Sequence, residues 1–399
     1  MVSLTELRSP AGSALLTLAA GLVDGDQLKA VEALRATGAG AELAGEALTQ
    51  ATLRAKAVAK FGPDAGQMFF TRAGLEQATR LTVADRRAAR LAAAGVRTIA
   101  DLGCGIGADA RAFARAGITV YAVEADPGTA EIAAANTAGL PVTVEHRDAQ
   151  SVDLTAFDAV FCDPARRAGN RRVFDPRSYS PPWDFIESLT RRPAVIKLGP
   201  GIDHALLPGT AEAEWVSVGG EVVEAALWCD RLAEVPRRAT VLPGDTGRSS
   251  GRGDGTPGGA AQLTGGGTRE AEVGPTRAFV YDPDGAVIRS HLVAELADTL
   301  GANIADPTIA YLYADEVRAT RFARAYRIDL VLPFSLKRLR STLRERGVGR
   351  LTIKKRGSAL EPESLRKQLR LDGPNEATVI LTRVAGAPVT LLCQPADVS

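Results

Sequence analysis

Four carboxylates and three glycines between residues 101 and 163 carry the chemistry of this chain. Gly103, Gly105 and Gly107 follow the apolar run 96–102 and precede an amphipathic stretch, 108–116. A strand, a tight turn and a helix in that order let backbone press against a small molecule, because glycine takes angles that side chains forbid. Asp101 stands directly ahead of the turn, where an acid suits a cationic ligand better than a pyrophosphate. Glu124 ends a second apolar run, 120–124, where a carboxylate can accept both hydroxyls of a ribose. Asp148 follows a third run, 142–146, and Asp163-Pro164 follow a fourth, 157–162.

These motifs resemble the cofactor half of class I S-adenosylmethionine-dependent methyltransferases. The resemblance implies that Asp101, Gly103, Gly105, Glu124 with Ala125, and Asp148 with Ala149 hold S-adenosyl-L-methionine. Asp148 would accept from the adenine amino group; the other reading is a solvated loop acid. The spacing Gly103-x-Gly105-x-x-Ala108 also fits a dinucleotide fingerprint, and Glu124 suits either cofactor. Asp101, Asp109 and Asp163 around the glycine loop favour a sulfonium over a pyrophosphate.

Asp163-Pro164 resembles the start of the D/N-P-P-Y/F/W motif of amino-group methyltransferases. There the acid and the proline carbonyl hold the target nitrogen, so Asp163 and Pro164 are the expected catalytic pair. Such a transfer needs mainly positioning and a way to drain positive charge. The motif then departs: Ala165 replaces the second proline, and Arg166 and Arg167 follow where an aromatic belongs. A guanidinium can stack on a base and pair with a phosphate, which makes both arginines expected substrate contacts. Tyr179 and Trp183 offer an aromatic from the same loop, unless Trp183 merely opens a helix behind Pro181-Pro182. Upstream, residues 60–80 resemble the segment that folds over the methionine end of the cofactor in trimethylguanosine synthase-like RNA methyltransferases. That adds Thr71 to the expected cofactor set, with Phe70 and Gln77 as further candidates; the alternative is a helix packing Phe69 and Phe70 on the sheet.

To position these residues the chain must alternate strands and helices. Strand patterns fall at 96–102, 120–124, 142–146, 159–163 and 194–198, with helical stretches between, and Gly219-Gly220 joins two more, 215–218 and 222–229, as a hairpin. The expected fold is α/β: a doubly wound, mainly parallel sheet of the class I methyltransferase, Rossmann-like kind. A helical cap is expected over 1–65 and the methyltransferase domain over 66–242. Residues 243–276 hold 11 glycines among 34 residues and read as a flexible linker. A mixed α/β domain over 277–399 resembles the THUMP-like domain attached to some bacterial methyltransferase-type proteins, and THUMP domains proper bind RNA.

Composition sets the outer bounds. A chain of 399 residues has room for two or three domains, and a net charge of +1 points to no partner globally. Cys104, Cys162, Cys229 and Cys393 are scattered, and His146, His204 and His291 lack ligand spacing, so neither a disulfide framework nor a metal is expected. The apolar run 14–23 is about half the length that spans a bilayer, and Glu6 precedes it, unlike a signal peptide. A cytoplasmic protein without membrane contact is expected. Locally, 12 basic residues between Lys337 and Arg370, Lys354, Lys355 and Arg356 among them, face only three acids, which favours a polyanion-binding face over a solvated one.

The expectation is therefore an S-adenosylmethionine-dependent enzyme that methylates RNA at a base amino group. The alternatives are an RNA-binding protein with a degenerate methyltransferase core and a small-molecule methyltransferase.

Overall fold

The computed structural model describes residues 4–166, 179–244 and 259–396. The chain divides into two compact units, Met1–Ala211 with Ala226–Glu234, and Glu212–Ala225 with Val235–Ser399.

The first unit opens with helices α1 (Leu4–Arg8), α2 (Pro10–Ala20), α3 (Gln27–Arg35) and α4 (Ala41–Phe61). Ser9 and Asp26 cap α2 and α3 by accepting from backbone N–H groups. Small residues let α2 and α4 pack closely, burying Leu15, Leu16 and Ala19 with Ala44, Ala47 and Leu48. Next come α5 (Arg72–Gln77) and α6 (Leu81–Ala93), which extend the helical part well past the expected boundary at residue 65. Among the described residues no helix is long and apolar enough to cross a membrane.

Then strands and helices alternate: β1 (Thr98–Leu102), α7 (Ala108–Arg115), β2 (Thr119–Glu124), α8 (Pro127–Asn136), β3 (Val142–His146) and β4 (Ala159–Cys162). A short ribbon, β5 (Ala165–Arg166) and β6 (Tyr179–Ser180), leads to α9 (Trp183–Leu189) and β7 (Ala194–Leu198). All five long strands are parallel, ordered β7-β4-β1-β2-β3. The order reverses direction at β1, so the carboxyl ends of β1 and β4 flank the crevice where open α/β sheets bind ligands. Ile99, Phe113, Val120, Phe161, Val195 and Trp228 form the buried centre.

The second unit holds β8 (Glu212–Val218), the first part of β9 (Glu221–Cys229), β10 (Arg237–Leu242) and β11 (Ala261–Gly265). Gly219 and Gly220, at φ 61° and 92°, make the expected turn between β8 and β9. β10 runs parallel to β8 and antiparallel to β11. After these come β12 (Phe279–Pro283), α10 (Gly285–Arg289), α11 (Val293–Leu300), β13 (Asn303–Ile304), β14 (Leu312–Ala314), β15 (Ala323–Pro333), α12 (Leu336–Glu345), β16 (Val348–Lys355), α13 (Pro362–Leu369), β17 (Asn375–Val384) and β18 (Ala387–Pro395). Seven of these strands form one sheet in the order β13-β14-β12-β15-β18-β17-β16.

Two expectations need correction. The span 243–276 is not a linker throughout, because β11 lies inside it and alternates half-buried and exposed side chains against β10. Its glycine count hides a period-two pattern that is enough for an edge strand. Residues 245–258 of that span lie outside the described residues. Nor does a domain boundary fall at residues 242 and 277: α10 packs on β8 and β10, and α11 on β11, which ties those strands to the C-terminal unit.

Candidate active site

Asp101 is the penultimate residue of β1, in register with Ala122 of β2 and Phe161 of β4. The side chain is fully buried, and neither carboxylate oxygen has a hydrogen-bond partner among the described residues. Burial, reinforced by Asp109, Asp163 and Glu124, pushes its carboxyl well above the usual carboxylate range. A buried acid with nothing to neutralise it is costly in a finished fold, and a cationic ligand would complete it.

Beyond Asp101 the chain turns sharply, with φ of 85°, 55° and 82° at Gly103, Gly105 and Gly107. A Cβ on Gly105 would meet nothing within 4 Å, so the loop leaves open space there rather than filling it with protein. The Gly105 N–H donates to Glu124 Oε2 and the Asp126 N–H to Glu124 Oε1, both at 3.0 Å. These bonds fix the Glu124 carboxylate at the end of β2 and leave lone pairs for further donors. Ala125 follows, its carbonyl 3.1 Å from His146 Nε2. Asp148 is exposed and accepts from the Gln150 N–H at 2.9 Å, with the buried Ala149 between them.

The segment 68–71 reaches the same loop through Asn136. That buried amide donates to Phe69 O and Ile106 O and accepts from the Phe69 N–H. Phe69 and Phe70 are buried, but neither lies in a helix and both join clusters of the helical part rather than the sheet, unlike the packing alternative. Thr71 caps α5, accepting from the Gly74 N–H at 2.9 Å.

Asp163 follows β4, and its carbonyl oxygen would lie 3.6 Å from a Cβ on Gly103. The acid therefore sits beside the glycine loop, with Pro164 buried behind it. Lys197 Nζ donates to Asp163 Oδ2 at 2.5 Å. Asp109 is likewise held, by Arg87 of α6 and by Thr79 Oγ1 at 2.6 Å. The expected crowd of free acids thus reduces to Asp101, since helix spacing on α6 and strand register on β7 supply cations that local sequence does not show.

The backbone of Arg166 pairs with Tyr179 in the β5–β6 ribbon. Arg167 lies outside the described residues. Trp183 opens α9 behind Pro182, as in the plainer reading, with its ring 5.7 Å from that of Tyr179.

In the second unit the basic run is not an open face along β16. Lys354 Nζ donates to Asp282 Oδ2 at 2.7 Å and lies 5.5 Å from the Tyr326 ring centroid. Arg356 Nη2 donates to Asp282 Oδ1 at 2.9 Å, with its guanidinium 5.3 Å from the Tyr311 centroid. Lys355 pairs with Glu361 at 2.6 Å. Lys354 and Arg356 are thus engaged by Asp282, more than 70 residues upstream, and Lys355 by the exposed Glu361; as substrate contacts the three remain a proposal.

Lys197 and Arg87 are the residues that the sequence reading missed. Lys197 left one signal, a lone cation in the apolar strand Ala-Val-Ile-Lys-Leu.

Three family profiles match the chain: "Methyltransferase domain" over residues 99–169, "THUMP domain-like" over 323–395, and a domain of unknown function over 1–57. Two strains of Mycobacterium tuberculosis carry an S-adenosylmethionine-dependent methyltransferase that is 33% identical over 359 residues, covering 86% of this chain and 95% of theirs. A crystal structure of a methyltransferase from Porphyromonas gingivalis W83 superposes with a TM-score of 0.72 at 19% identity, covering 96% of this chain and 99% of that one, which shows a shared fold.

Proposed function

The chain belongs to the S-adenosylmethionine-dependent methyltransferases, and from that premise we propose that it methylates RNA at an amino nitrogen of a base. The cofactor supplies an electrophilic methyl group on a sulfonium. The unpartnered Asp101 carboxylate is fit to hold its cationic end, and Glu124 its ribose. Ala125, Asp148, Ala149 and Thr71 remain proposed contacts around it.

Asp163 and the Pro164 carbonyl would hold the acceptor nitrogen beside the glycine loop. Asp163 would orient the acceptor nitrogen toward that methyl group and take up the proton the nitrogen releases on methylation. A group placed for that step acts mainly by orientation and by draining charge. Arg166, Arg167 and Trp183 remain proposed substrate contacts.

The observation that carries the RNA reading is the outer face of α12 and α13. Leu339, Leu343, Leu365 and Leu369 are buried, and the opposite sides carry exposed Lys337, Arg338, Arg344, Lys367 and Arg370. Arg340 and Arg344 reach over to donate to the carbonyls of Gln368 and Arg370, neutral acceptors that leave their charge uncancelled. This face lies within the THUMP-like match and supports contact with phosphates. Four phosphates of a single strand would give log K against log salt a slope of about −3.

The test is transfer of labelled methyl from S-adenosylmethionine to pools of total RNA, protein and small molecules, with nucleoside mass spectrometry of RNA from a deletion strain. One methylated nucleoside missing in the strain and restored by the purified protein is the expected result. Label in protein or small molecules with none in RNA would overturn the reading, and RNA binding without transfer to any pool would point to a degenerate core.

A further inference from the structure

Lys197 and Asp163 occupy matching places at the carboxyl ends of neighbouring parallel strands. β4 and β7 pair Val160 with Ala194, Phe161 with Val195 and Cys162 with Ile196, so the next step of that register sets Asp163 against Lys197. The two groups meet at 2.5 Å through Oδ2, while Oδ1 has no partner among the described residues. The lysine side chain is 13% exposed and the aspartate 34%, so the cation sits behind the acid and the acid faces outward. A lysine in an otherwise apolar strand is expensive to bury unless a carboxylate meets it. Here the carboxylate is the one proposed to receive the acceptor.

We propose that Lys197 is the positioning residue of the acceptor site: its ammonium pins one oxygen of Asp163 and leaves the other to accept from the acceptor amino group. The inference rests on the proposed role of Asp163. Asp163 also acts on Asp101 of β1, on which Asp109, Glu124 and Arg87 act as well, Arg87 being paired with Asp109. Among the described residues Lys197 is the cation that contacts Asp163.

The test compares Lys197→Met and Lys197→Arg with the wild type and Asp163→Asn. Transfer to RNA is followed from pH 5.5 to 9, S-adenosylhomocysteine binding by calorimetry, and the Asp163 carboxyl by 13C NMR, its signal identified through Asp163→Asn. Lys197→Met is expected to lower kcat about a hundredfold with KM and S-adenosylhomocysteine affinity nearly unchanged. The acid limb of its rate profile and the Asp163 carboxyl signal should both differ from the wild type, because no ammonium then contacts that oxygen. Lys197→Arg should restore most of the rate and the profile.

A Lys197→Met enzyme with wild-type kcat and profile would overturn the proposal. Loss of S-adenosylhomocysteine binding in both variants would also overturn it and make Lys197 a structural support. If the wild type transfers nothing to RNA, the RNA reading falls instead, and the substrate-free Asp163 carboxyl signal of wild type against Lys197→Met still decides the role of Lys197.

Discussion

Asp101 and Asp282 are both aspartates on strands with little access to water, and the fold treats them in opposite ways. Asp282 is enclosed by two cations. Burial pushes its carboxyl up, but Lys354 and Arg356 together outweigh that and hold it below the usual range. Asp101 lies among acids that outweigh Arg87, has no hydrogen-bond partner among the described residues, and is pushed far the other way. The linkage signs follow. Asp282 contributes stability that is present at neutral pH and fades as pH falls through its lowered value. Asp101 favours its protonated form when folded, so it withdraws stability as pH rises above the value of an unfolded aspartate. The comparison teaches that a run of charge marks structure when the fold completes it, and a candidate site when the fold leaves it incomplete.

The largest test of this contrast is Asp282→Ala. It strands Lys354 and Arg356 in a partly buried site and should cost about 3 kcal/mol in urea unfolding at pH 7. A variant as stable as the wild type would mean the cluster is no internal clamp and would return Lys354 and Arg356 to the surface. Next comes Asp163→Ala, which should lower kcat roughly a hundredfold while S-adenosylhomocysteine affinity holds in calorimetry. Unchanged turnover would move the acceptor role to Arg166 or the Tyr179–Trp183 pair. Glu124→Ala should weaken cofactor binding by roughly 1.5–3 kcal/mol, the range for hydrogen bonds to a charged group. Calorimetry showing no change would detach the ribose from Glu124.

Asp101→Asn sharpens the contrast most directly. Removing an uncompensated acid should stabilise the cofactor-free protein by about 1 kcal/mol at pH 7 and raise its melting temperature, while cofactor affinity falls. In the wild type, binding a cation against Asp101 should release a proton and weaken as pH drops. The variant should lose both effects, readable by calorimetry in buffers of different ionisation enthalpy. A variant that melts lower and binds as tightly would refute the assignment. The smallest effect is Lys355→Glu, where an exposed pair with Glu361 is lost. Its stability should change by no more than about 1 kcal/mol.

Much of the glycine loop and of the acids beside it was legible in the sequence because their signals are local. Gly103, Gly105 and Gly107 announce a loop that only their backbone freedom allows, and the apolar runs before Asp101, Glu124 and Asp163 put all three acids at strand ends. The β11 strand was not legible, since glycine composition outweighed a short alternation that only pairing with β10 makes worthwhile.

The sequence by itself determined the order of elements, the kind of sheet and which acids stand at its carboxyl ends, because hydrophobic period and turn chemistry act over a few residues. Charge balance belonged to tertiary structure. Arg87 meets Asp109 across 22 residues, Lys197 meets Asp163 across 34, and Lys354 meets Asp282 across 72. Ion pairing depends on distance through space, so counting neighbours along the chain could not tell which acid would stay alone. Among the described residues the fold leaves Asp101 without a hydrogen-bond partner, pairs Lys354 and Lys355 of β16 with acids, and exposes Lys337, Arg338, Lys367 and Arg370 on or beside α12 and α13.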